Sequence, residues 1–92
     1  MSDVRTAAIT AQNTFTDPLG VTSKPFSLSI SGTFVATVTV QRSHDGGTNW
    51  HDVESYTVPI EDSGVEPVGA LYRVGVKTGN FTSGTANVRL ES

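Results

Sequence analysis

Ninety-two residues carry no cysteine and a formal net charge of −3, from nine acids against six bases. That removes disulfides, thiolate metal sites and cysteine nucleophiles together, and it argues against a protein that tracks a phosphate backbone, which needs a basic stripe. A chain of this length holds a single core, and none of its apolar runs approaches the roughly 18 residues of a membrane span. The opening Met1-Ser2-Asp3-Val4-Arg5 does not run from a basic stretch into an apolar one, so a protein that stays in the compartment where it is made is expected. Ser, Thr and Val make up 35 of the 92 residues. Thr and Val favour strands and Ser fills turns and solvent faces, so the composition is all-β.

In chain order, Val4 to Phe15 reads as a strand whose alternation is blurred by Ala7-Ala8-Ile9, and Asp17-Pro18-Leu19-Gly20 reads as a turn. Residues 1–25 are therefore either a first strand or an arm that docks on a neighbour, and residues 26–92 form the body. Phe26, Leu28 and Ile30 alternate with serines, the pattern of a half-buried strand. After a turn at Ser31-Gly32-Thr33, Phe34, Ala36, Val38 and Val40 continue the period of two. Trp50-His51-Asp52-Val53 follows the next break, and Ser55 to Ile60 reads as a short or edge strand ended by Pro59 and an acidic loop, Glu61-Asp62-Ser63-Gly64. Tyr72, Val74 and Val76 form one closing strand and Ala86, Val88 and Leu90 the other. Joined as a hairpin with Val76 opposite Val88, they would set Arg73 against Glu91 and avoid a clash of Arg73 with Arg89. Six or seven strands at this spacing predict a small antiparallel β-sandwich, immunoglobulin-like in architecture, with a partly open barrel as the alternative. The expected core is Phe26, Leu28, Ile30, Phe34, Val38, Val40, Tyr72, Val74, Val76, Val88 and Leu90.

The most specific local pattern is Ser43-His44-Asp45-Gly46-Gly47-Thr48-Asn49-Trp50. It resembles the Asp-box hairpin of bacterial neuraminidases at Ser43, Asp45, Gly47 and Trp50, with Asn49 where that pattern has Thr. The resemblance implies a structural turn: Ser and Asp side chains cap backbone N–H groups, Gly takes a positive φ and the Trp ring folds over the loop. Ser43, His44 and Asp45 name the members of a hydrolase triad, yet consecutive residues of a tight turn cannot relay a proton. His44 and His51 with Asp45 or Asp52 lack a third ligand at zinc spacing. Glu61, Asp62 and Glu66 lack the spacing of a calcium loop and read as solvated acids. Asn80-Phe81-Thr82 fits a glycosylation sequon by chance, and Phe81, at the tip of the 78–84 loop, either folds back on the sheet or is a candidate contact with a partner. The residues predict neither catalysis nor a bound metal or cofactor.

Two longer stretches carry a resemblance of a different kind. Gly32 to Thr57, with its Thr-Val-Gln-Arg-Ser and Asp-Gly-Gly…Trp hairpin, and Leu71 to Thr85, with Tyr-Arg…Gly-Val-Lys-Thr-Gly…Thr-Ser-Gly-Thr, are similar to small β-sandwich proteins of the virion-structure modules of tailed bacteriophages. The similarity spans roughly residues 32–90, about two-thirds of the chain, and consists of turn and strand patterns. It implies a non-enzymatic virion protein of the head-decoration, or cement, type. Such a protein binds the major capsid protein on the capsid exterior as a homo-oligomer, most often a trimer, without touching nucleic acid or membrane. Two other roles remain open at this point: a tail or head–tail connector accessory, and a carbohydrate-binding module using Trp50, Tyr56 or Phe81.

Overall fold

The period-two runs become strands in a computed structural model that describes residues 3–92; Met1 and Ser2 of the predicted 1–25 segment lie outside the described residues. The strands are β1 (Val4–Ile9), β2 (Thr14–Phe15), β3 (Leu19–Val21), β4 (Lys24–Ser31), β5 (Phe34–Ala36), β6 (Val38–Ser43), β7 (His51–Tyr56), β8 (Ile60–Glu66), β9 (Ala70–Val76), β10 (Phe81–Gly84) and β11 (Ala86–Glu91). Seven of them run for six to eight residues; β2, β3, β5 and β10 are short additions at their margins.

One antiparallel sheet has the order β1-β11-β4-β8 and the other β2-β9-β6-β7, with β3 pairing β9 beside β2. A ribbon of β5 and β10 stands apart from both. The inward side chains of both sheets meet in one core: Leu28, Ile30, Val88 and Leu90 from the first, Val38, Val40, Tyr72, Val74 and Val76 from the second. This is a small all-β sandwich. Each fully buried Val, Leu or Ile side chain contributes about 1.5–3 kcal/mol relative to exposure. Phe26 and Phe34, expected inside, are only partly buried and pack against the margin of this core.

Residues 4–21 enter both sheets. β1 pairs with β11, β2 and β3 pair with β9, and Ile9, Leu19 and Val21 have no exposed surface. Asn13 and Ser23 take positive φ where the chain reverses around these short strands. The blurred alternation of this segment thus reflects β1, whose inward positions Arg5, Ala7 and Ile9 are not all apolar, followed by two strands of two and three residues, too short to show a period.

Four expectations are corrected. The β9–β11 hairpin does not form: β9 pairs with β6, β2 and β3, β11 pairs with β1 and β4, and the two strands face each other from opposite sheets. Arg73 and Glu91 therefore never pair; Glu91 bonds instead to Arg89 on its own strand, at 3.0 Å. The acidic stretch Glu61–Gly64 is no loop but the middle of β8, in register with β4 from Lys24↔Glu66 to Ile30↔Ile60. Ser55 to Ile60, expected as one strand ended by Pro59, is the end of β7, a turn that holds Pro59, and the first residue of β8. Finally, the run from Phe34 to Gln41 breaks at Thr37, whose N–H donates to the Asn80 carbonyl at 2.9 Å, so that β5 leaves the main sheet to pair with β10.

Candidate functional site

The β6–β7 hairpin is built around Ser43 and Asp45. Ser43 is buried at the end of β6; its hydroxyl donates to Asp45 Oδ1 at 2.7 Å and accepts from the Gly47 N–H at 2.9 Å. Asp45 Oδ1 also accepts the Asn49 N–H at 2.9 Å, and Oδ2 accepts the Asn49 side-chain amide at 2.8 Å. Asn49, the departure from the Asp-box pattern, thus adds a donor to the carboxylate. The Asn49 backbone bond foremost, then Ser43 and the Asn49 side chain, hold the Asp45 carboxyl far below the usual carboxylate range. Gly46 and Gly47 both take positive φ, as the turn requires.

Trp50 is half-buried, and a side chain at Gly47 would meet its ring. The Arg73 guanidinium carbon lies 4.3 Å from the Trp50 ring centroid and 4.3 Å from that of Phe15, so the cation is held between two aromatic rings. From there a polar row crosses the outer face of the sheet. Arg73 Nε donates to Gln41 Oε1 at 2.8 Å, Gln41 Nε2 donates to Asp52 Oδ1 at 3.0 Å, and Lys77 Nζ donates to Asp52 Oδ2 at 2.6 Å. The Lys77 bond, then Gln41, lowers the Asp52 pKa. Burial lowers that of Arg73, whose guanidinium stays charged.

The inner face of β8 carries the groups that the sequence did not reveal. Ile60, Asp62, Gly64 and Glu66 share one side of this strand, so two of its acids point between the sheets. Glu66 is buried: Oε1 accepts the Tyr72 hydroxyl at 2.8 Å, Oε2 accepts the N–H groups of Val68 and Gly69 at 3.1 and 3.2 Å, and Arg42 lies 3.8 Å away. Those hydrogen bonds, Tyr72 foremost, lower its pKa, while burial raises that of Tyr72. Asp62 accepts the Tyr56 hydroxyl at 2.6 Å and the Ser63 N–H at 2.8 Å. The only clue in the sequence was that the acids alternate in step with Ile60. Their tyrosine partners come from other strands.

Because the folded pKa of Glu66 lies below its ordinary value of 4.5, its contribution to stability is complete above that pH and is lost as pH falls through the folded value. Thermal melts taken from about pH 6 to about pH 3 are expected to show a Tm that drops once pH passes below the carboxylate range. Glu66→Gln should start lower and lose fewer degrees over the same interval. A variant that loses as much as the parent chain would show that Glu66 takes no part in the acid response.

The remaining candidates stay separate. His44 Nδ1 lies 3.3 Å from the Gly69 carbonyl, while His51 sits opposite Arg42 on β7. No group of three or more His, Asp or Glu residues is placed to hold a metal ion among the described residues. Phe81 pairs with Ala36 in the β5–β10 ribbon and packs, partly buried, against the core margin. What the arrangement does physically is fix the β6–β7 hairpin, the turn that carries the chain from β8 in one sheet to β9 in the other, and an outer polar face. Comparison with family models, with curated proteins and with solved structures finds no match to this chain.

Proposed function

We propose that the protein is a structural component of the virion of a tailed bacteriophage, a head-decoration protein that binds the major capsid protein on the capsid exterior as a homo-oligomer, with a trimer favoured. One observation supports this reading above the others. The two stretches that carry the resemblance to phage virion proteins are far apart in the chain, yet β6 and β9 are neighbours, with Thr39 opposite Gly75 and Gln41 opposite Arg73. The similar segments therefore form one continuous face, the unit a docking surface would keep. A net charge of −3 suits a position outside the shell better than one against packaged DNA. Binding to a lattice would also stabilise so small a domain by mass action.

A sugar platform would require an open Trp50 ring, and Arg73 covers one of its faces. Placement on the head rather than on the tail or connector is tested by copy number in purified virions, measured by quantitative mass spectrometry against the major capsid protein. On the order of several hundred copies is the expected result for a lattice site, whereas about six or twelve would move the protein to a symmetric ring at the portal or tail. Absence from virions would overturn the structural reading altogether.

A further inference from the structure

The two sheets do not close along one side. β7 ends one sheet and β8 ends the other, and between them lies a cleft of about 160 Å³. Its floor is apolar, from Phe26, Leu28 and Val40, and its rim carries Tyr56, Glu54 and Asp62. The volume is close to that of a buried cavity of about 150 Å³ that accepts a benzene-sized group.

The charge in this cleft is of one sign. No Lys or Arg lines it, and neither Glu54 nor Asp62 is in an ion pair among the described residues. Of the strands that line it, β4 carries Lys24, in register with Glu66, and β6 carries Arg42, 3.8 Å from Glu66, so both cations stand at the Glu66 end of β8 and neither lines the cleft. The Tyr56 hydroxyl reports the same field: burial foremost, then the Asp62 and Glu54 carboxylates, push its pKa well above the ordinary tyrosine value.

We infer that the β7–β8 cleft receives a lysine side chain presented by a partner protein, its alkyl stem lying on Phe26, Leu28 and Val40 and its ammonium between Glu54, Asp62 and the oxygen of Tyr56. An apolar floor under an acidic, aromatic rim matches a side chain that is apolar along its stem and charged at its tip. Lysine fits better than arginine. Asp62 already accepts Tyr56 at one oxygen and the Ser63 N–H at the other, so it offers no free edge to a two-pronged guanidinium, whereas a point cation needs only one lone pair. The inference is independent of the virion assignment, because it rests on the cleft alone.

The test is a titration of the full chain, ¹⁵N-labelled, with the capped tripeptide Ser-Lys-Ser and with its neutral counterpart in which norleucine replaces lysine. The lysine peptide is expected to shift the amides of Val53 to Tyr56 and Asp62 to Gly64, and to bind at least roughly fivefold more tightly than the norleucine peptide. Glu54→Gln changes an exposed side chain, so the fold is kept, and should weaken the lysine peptide roughly threefold while leaving the norleucine peptide unchanged. Equal binding of the two peptides, shifts located elsewhere, or no shifts at all would each overturn the assignment.

Discussion

Leu90→Ala is expected to destabilise the fold by about 2–5 kcal/mol, the range for emptying a fully packed leucine site. Leu90 has no exposed surface and sits in the interior strand of its sheet, opposite Arg5 on one side and Leu28 on the other. Neighbouring strands on both sides limit how far the site can collapse around the lost atoms. Since domains of this kind have only about 5–15 kcal/mol in total, the variant would lose a large share of its stability. Urea unfolding should show the midpoint falling with an unchanged slope. Val35→Ala, at a side chain 58 % exposed on β5, serves as the control and should cost about 0.5 kcal/mol or less. A Leu90→Ala loss no greater than that of the control would mean that β11 does not occupy the centre of its sheet.

The second large effect is expected at Gly75. This residue lies under β2, opposite Phe15, and a Cβ there would overlap the Thr14 carbonyl oxygen and the Phe15 backbone. Gly75→Val cannot be relieved by a rotamer change, because backbone stands in the way. The strain of about 1–3 kcal/mol typical of overpacking is the floor, to which the loss of β2 adds. β2 is only two residues long, so it would lift away and take Phe15 off the Arg73 guanidinium. Thr16, whose N–H donates to the Val74 carbonyl at 2.9 Å, would lose its anchor as well. Amide exchange at residues 14–16 should rise more than at β4 or β11. A Gly75→Val protein with unchanged exchange there would show that β2 does not cover this strand.

Which face of each strand is buried could be read in the sequence; which strand lies beside it could not. Leu28, Ile30, Val74, Val76, Val88 and Leu90 are inside because alternation fixes the inward side of a strand regardless of its neighbours. The same alternation is equally satisfied when two strands pair side by side and when they face each other across a core. The charge argument for Arg73 and Glu91 therefore had no hold on the outcome: Arg73 found two aromatic rings and Glu91 found Arg89. The hairpin at Ser43–Trp50 was legible because all its partners lie within eight residues of one another. Glu66 was not, since the hydroxyl that lets it enter the core comes from Tyr72 on a different sheet, and an acid is almost never fully buried without such a partner.

The position of β11 between β1 and β4 also sets the order in which the molecule can be made. Val4 pairs with Glu91 and Ile9 with Ala86, so β1, made before the other ten strands described, waits for β11 before it has a neighbour. The first sheet cannot assemble progressively during synthesis; until β11 arrives, β1 and β4 have an empty lane between them, and Ile9 and Leu28 lack the walls that will cover them. Such distant pairing places refolding among the slow two-state proteins, on the order of milliseconds to seconds, and leaves the nascent chain open to association through its strand edges. A protein required in many copies at once would meet that hazard at its most severe, in a crowd of identical unfinished chains.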